Sequence, residues 1–219
     1  MIAENLESVT QRIARSCERA GRLRDSVRLV CVTKEAGLEE IEEILRLGLK
    51  DTAENRVQDA LLKYNAIGKR ASWHMVGHLQ TNKVRDAVRI FSLIHSVDSP
   101  RLARAIDEEA KRIDKVQETL IQVNTSGEKT KFGTAPEEAQ RLIKNISSYA
   151  NIKVKGLMTI APETNDIEKI RASFRKLKGL FDKINNLELL SMGMTNDFEM
   201  AIEEGANVVR IGRAIFGEK

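Results

Sequence analysis

The sequence is poor in aromatic residues, which fill 4% of its 219 positions. Proteins that hold single-stranded nucleic acid stack bases on aromatic platforms, and too few rings are available here. Charge of one sign is missing as well. The net charge is only +4, and bases alternate with acids, as in RAIDEEAKRIDK. Such runs are solvated helix faces, not a nucleic-acid stripe. Cysteine is limited to Cys17 and Cys31. No CxxC occurs, so no disulfide framework is expected, and both residues read as small apolar core. Long apolar runs are absent. MIAENLESVTQRIARSCERAG carries charges throughout, which excludes a signal peptide or a membrane span. The expectation is a cytoplasmic protein with no membrane and no nucleic-acid partner. Three prolines and no low-complexity tract leave no linker, so 1–219 is read as a single domain.

What is present is an alternation. Short apolar runs (VRLVCVT, a weak DTA, SWHMV, LIHSV, TLIQVN, VKGLMTI, ELLSM and NVVRIG) are separated by amphipathic stretches. LRLG and EEG end in glycine, as helix C-terminal caps do, and Ser99 before Pro100 suits a helix start. Ile2, Leu6, Val9, Ile13 and Cys17 repeat at helical spacing ahead of the first run. The pattern predicts a (β/α)8 barrel over 27–219 with an extra N-terminal helix over 1–21. A doubly wound open sheet is the other α/β arrangement, but GxGxxG does not follow the first strand. GEKTKFGT lacks the residue order of a nucleotide-binding loop.

In such a barrel, chemistry sits where strands end. Strand one ends in Lys34, strand two in Glu54 and Asn55, strand three in Gly77 and His78. Strand six ends in Met158 and Thr159, strand seven in SMGMTND, strand eight in RIGR. Barrels often bind phosphate after strands seven and eight. Here Ser191, Gly193 and Gly212 suit an anion, because glycines admit close backbone approach and a helix start offers N–H groups. A lysine on strand one opposite a phosphate cradle suggests a ligand with an aldehyde and a phosphate, of which pyridoxal 5′-phosphate is the common one. The lysine must react as the neutral amine, which a buried position would favour. A sugar-phosphate barrel enzyme with Lys34 as its reactive amine is a further reading.

The motifs CVTKEAG, AENRVQDALLKY, WHMVGHLQTNK, VNTSGEKTKFG, GLMTIAP and LSMGMTNDFEMAIEEGANVVRIGRAIFG span nearly the whole chain. Together they resemble the YggS/PROSC family of pyridoxal phosphate homeostasis proteins. The resemblance implies a barrel similar to the N-terminal domain of alanine racemase, binding pyridoxal 5′-phosphate without an established reaction. It implies a Schiff base on Lys34, phosphate held by Ser191 and the backbone around Gly212 and Arg213, and Arg210 facing the ring nitrogen. Asn55, His78 and Met158 are implied pocket residues. KEAG replaces a segment that commonly carries proline, which alters the loop after strand one. TAEN replaces a more usual FGEN, which alters the wall beside Asn55.

A guanidinium at the ring nitrogen donates and cannot accept a proton, so the ring is a poor electron sink. Alanine racemase adds a second domain with a tyrosine acid/base. Here Tyr64 and Tyr149 fall in helical patterns and the chain ends at Lys219. A carrier or regulator of the cofactor is therefore expected, with pyridoxal phosphate-dependent apoenzymes as recipients. A small racemase is the alternative. No long apolar helix face is left over, so a monomer is expected. His74 and His78 straddle a strand end, so no metal site is expected. His95 is read as packing or hydrogen-bonding.

Overall fold

The computed structural model describes residues 1–128 and 130–217; Lys129, Glu218 and Lys219 fall outside the described residues. Eight parallel strands close in sequence order into a barrel. They are β1 (Arg28–Val32), β2 (Asp51–Glu54), β3 (Ser72–Met75), β4 (Leu93–Val97), β5 (Gln117–Gln122), β6 (Ile152–Met158), β7 (Leu189–Ser191) and β8 (Val208–Ile211). The register Val30↔Arg210 and Cys31↔Ile211 closes the ring between β1 and β8. The helices are α1 (Ile2–Arg19), α2 (Leu38–Arg46), α3 (Val57–Ile67), α4 (Val84–Ile90), α5 (Pro100–Arg112), α6 (Pro136–Ile146), α7 (Ile167–Phe181), α8 (Phe198–Glu203) and α9 (Arg213–Phe216). The architecture is the (β/α)8 barrel expected from the alternation.

The strands are buried on both faces, which is why most read as unbroken apolar runs. Alternate residues face opposite sides. One set packs outward against helices, as do Cys31, Trp73 and Ile121. The other fills the barrel: Val30, Ala53, Val76 and Val208 form one cluster, and Leu93, Leu120 and Met158 another. Gly48 and Gly205 follow helices with φ of 87° and 103°, as their sequence positions suggested. Ser99 Oγ accepts from Leu102 N at 3.4 Å, with Pro100 in the first turn of α5.

The N-terminal helix spans Ile2–Arg19 and lies against α8 and α9. Val9, Ile13 and Cys17 are its buried face. Arg12 pairs with Glu199 at 2.9 Å and its guanidinium sits 4.6 Å from the Phe198 ring centroid. This helix thus braces the elements that follow β7 and β8. Among the described residues, no helix is long and apolar enough to cross a membrane.

Candidate functional site

A cleft of about 670 Å³ opens at the C-terminal ends of the strands, between β1, β2, β3 and β8. Lys34, Asn55, Gly77, Thr195, Arg210, Gly212 and Arg213 are among its lining residues. The volume lies within the range of small-molecule sites. A second cleft of about 760 Å³ between the segments after β6 and β7 shares Ile160, Met194 and Arg213 with it. The site therefore stays open on one side.

Lys34 lies two residues beyond the end of β1. Its side chain is 46% exposed, with Nζ 3.2 Å from Glu35 Oε1. This corrects the expectation of a buried amine: the strand is buried, but its tip is at the mouth. The residue before it is held firmly. Lys63 Nζ, reaching in from α3, donates to Thr33 O at 2.6 Å and to Glu54 Oε1 at 2.7 Å. Thr33 Oγ1 donates to the same carboxylate oxygen at 2.6 Å. A buried ion pair thus fixes the backbone from which Lys34 extends.

Arg210 is 3% exposed. Its Nη1 donates to Ser191 Oγ at 2.7 Å and its Nη2 to Thr159 O at 2.9 Å. These bonds use two of five N–H donors and leave others for a ligand. Burial pushes the guanidinium pKa down to about 10, against the raising effect of Asp197. It remains charged at neutral pH.

Four expected site residues lie elsewhere. Ser191 is fully buried and its hydroxyl is committed to Arg210 and to His95 Nδ1, 3.0 Å away, so it backs the arginine instead of reaching phosphate. Met158 fills the barrel interior with Leu93 and Leu120. Gly193 has φ +94°, and a Cβ there would meet Phe198 Cα at 2.9 Å, so it serves the packing of α8. His78 lines a neighbouring cleft with Arg56 and Lys83, stacked on Phe132 at 3.8 Å between centroids. Gly212 does line the site, and a Cβ there would meet Val32 O at 2.7 Å. A glycine is what lets the end of β8 close against β1.

Two contributors escaped the sequence reading. Thr195 sits within the SMGMTND run and lines the cleft where Ser191 was expected. The loop carrying it is braced by Met194 N donating to Asp197 Oδ1 at 2.6 Å. Lys63 sits in DALLKYNAI, where a lone lysine among apolar neighbours was the available signal. Among the described residues no His/Cys/Asp/Glu group is arranged to hold a metal.

Behind Arg210 a file of polar residues crosses the barrel interior. His95 Nε2 lies 3.0 Å from His74 Nδ1, and His74 Nε2 lies 3.2 Å from Asp51 Oδ1. Burial holds His95 well below its ordinary pKa of 6.5, and the basic groups around it, His74, Arg210 and Arg28, act in the same direction. Burial also opposes ionisation of Asp51, but the His74 hydrogen bond and Arg28 outweigh it and keep the carboxyl below its usual range. Below pH 6.5 the unfolded chain protonates this histidine and the folded chain does not, so stability falls as pH drops from there. Relative to His95→Asn, the wild type is expected to lose up to about 1.4 kcal/mol per pH unit below that point. Urea midpoints at several pH values measure it, and parallel profiles for the two proteins would contradict it.

Residues 5–219 match the family model of the alanine racemase N-terminal domain. The chain is 45% identical over 222 residues to the pyridoxal phosphate homeostasis protein of Aquifex aeolicus, covering 99% of this chain and 97% of the relative. It is 37% identical over 220 residues to that of Pseudomonas aeruginosa, covering 100% and 96%. Among solved structures, PipY of Synechococcus elongatus with PLP bound aligns at TM-score 0.86 and 31% identity, covering 99% of this chain and 100% of that one. Clostridium difficile alanine racemase aligns at TM-score 0.79 and 16% identity over 100% of this chain and 56% of its own, a likeness of fold alone. Fold, cleft and family model together define the class, a barrel of the alanine racemase N-terminal type. Within that class the chain belongs to the family of pyridoxal phosphate homeostasis proteins.

Proposed function

We infer that this protein binds pyridoxal 5′-phosphate and carries or regulates its intracellular supply. The observation that carries the reading is one cleft lined at once by an accessible amine, a buried guanidinium and the glycine turn before α9. The donor set fits the ligand. When bound, pyridoxal 5′-phosphate supplies an aldehyde that captures amines and a ring that can take up electrons. Lys34 Nζ is the nucleophile for the aldehyde. Arg210 donates toward the ring nitrogen. Thr195 and the turn at Gly212 that opens α9 hold the phosphate. Asn55 and Gly77 form the opposite wall.

The same residues argue against strong catalysis. Arg210 is a permanent donor and gives the ring nitrogen no proton to keep, so the ring withdraws electrons weakly. No tyrosine lines the cleft. Tyr64 packs edge-on against Trp73 at 6.3 Å between centroids, and Tyr149 packs on the core. Among the described residues the cleft offers Lys34 and its ion-pair partner Glu35, and it lacks a tyrosine to act as the second member of a two-base racemisation. The half-exposed lysine and the open second cleft suit release to pyridoxal phosphate-dependent apoenzymes, with this chain acting as a cytoplasmic monomer.

The test is spectroscopic. Purified protein given pyridoxal 5′-phosphate is expected to gain a visible absorption band that borohydride abolishes, leaving the cofactor on the peptide containing Lys34. A protein that stays colourless overturns the reading. Incubation of the loaded protein with L-amino acids in deuterated water should give no Cα exchange at catalytic turnover; sustained exchange would favour a racemase.

A further inference from the structure

Five polar residues cross the barrel interior in one file. Asp51 stands on β2, His74 on β3, His95 on β4, Ser191 on β7 and Arg210 on β8, each within 3.2 Å of the next. Val or Leu would fill the same space without the need to satisfy every polar atom. The file ends on a guanidinium that opens onto the cleft.

Its direction is fixed by its ends. A guanidinium can only donate and an ionised carboxylate can only accept. Arg210 donates to Ser191, so the Ser191 hydrogen is free to go to His95 Nδ1. His95 Nδ1 must then be bare, and its Nε2–H donates to His74 Nδ1. His74 in turn donates from Nε2 to Asp51. Every atom is satisfied only with both imidazoles neutral and both in the Nε2–H tautomer. With a proton on His95 Nδ1, Ser191 Oγ would accept from both neighbours and its own hydrogen would be left without an acceptor between them. The charged and titratable groups facing His95 are His74 from β3, Arg210 from β8 and Arg28 from β1, with Asp51 beyond His74. The three nearest are basic, which opposes a further proton on His95.

The geometry points to His95 as a positioning residue for Arg210, oriented by His74 and Asp51, so that the guanidinium is presented to the cofactor ring in one fixed rotamer. This rests on the cofactor reading above. His95 touches no ligand and acts through Ser191.

The test has two arms. In the cofactor-free wild-type protein, ¹H–¹⁵N correlation spectra of the histidine rings should show bare Nδ1 and protonated Nε2 for both His95 and His74. A protonated Nδ1 on His95 overturns the inference. In titrations with pyridoxal 5′-phosphate, His95→Leu should bind roughly tenfold more weakly and shift the absorption band, because Ser191 loses its acceptor. His95→Asn can place Oδ1 where Nδ1 was, and should stay within about twofold with the band unmoved. Equal losses in the two variants, or no loss in either, overturn it. A wild-type protein that forms no band overturns the cofactor reading itself, and the tautomers then still decide whether His95 holds Ser191 and Arg210.

Discussion

Lys34→Ala is expected to abolish the visible band and all borohydride-stable attachment of pyridoxal 5′-phosphate, with the fold intact. The loss should be complete, because among the described residues no other amine is placed to substitute. Lys34 is the one described lysine lining the cleft. Lys131 opens on the adjoining cleft, where it donates to Ala161 O at 3.0 Å and pairs with Glu128 at 2.9 Å. Lys63 is held by Thr33 and Glu54 beneath the loop. Lys34→Arg should fail equally, since it keeps the charge but lacks the nucleophilic amine. Noncovalent binding should persist more weakly in both variants through Arg210 and the turn at Gly212. Stability should shift by less than about 0.5 kcal/mol, because the side chain is half-exposed and Glu35, with which it pairs, is exposed as well. A residual band of wild-type intensity in Lys34→Ala would place the reactive amine elsewhere.

The fold was largely legible because parallel strands buried on both faces leave continuous apolar runs, and seven of the eight are plain in the sequence. The exception, DTA, is weak for a physical reason. β2 is short, and its buried members include Thr52, which donates to Ser72 O, and Glu54, whose Oε1 accepts from Lys63 and Thr33. Periodicity cannot anticipate a carboxylate made acceptable by a partner nine residues on. The site was legible at residues beyond the strand ends. Lys34, Asn55, Gly212 and Arg213 all reach the cleft. Where it misled, register explains the error. Met158 pairs with Ser191, and Ser191 pairs with Val208, two residues below Arg210. A staggered barrel sets residues near the ends of neighbouring strands at different heights, so Met158 and Ser191 lie a layer beneath the mouth. The residue that reaches the mouth from the β7 side is Thr195, four positions further on. The polar file through His95 could not be read at all, because partners on β2, β3, β4, β7 and β8 meet only once the barrel closes.

Lys63→Met is expected to destabilise the protein by about 3–5 kcal/mol, the cost of leaving a buried carboxylate unpaired. Glu54 is fully buried and the Lys63 side chain is 14% exposed, so water offers little substitute for the lost ammonium. For a chain of this size that corresponds to a fall in Tm of roughly 6–20 °C. A loss below about 1 kcal/mol would show that the pair contributes little. The double variant Lys63→Met with Glu54→Leu separates two roles. Replacing a buried pair by packed apolar groups is often neutral, so most of the stability should return. Thr33 O would still lack its ammonium donor and Thr33 Oγ1 its carboxylate acceptor, leaving the backbone before Lys34 less constrained. Covalent capture of pyridoxal 5′-phosphate should therefore remain slower than wild type even where Tm recovers. Stopped-flow absorbance on the double variant reads this directly. Full recovery of both Tm and capture rate would mean the pair serves stability alone; recovery of Tm without the rate assigns Lys63 and Glu54 to the placement of the reactive amine.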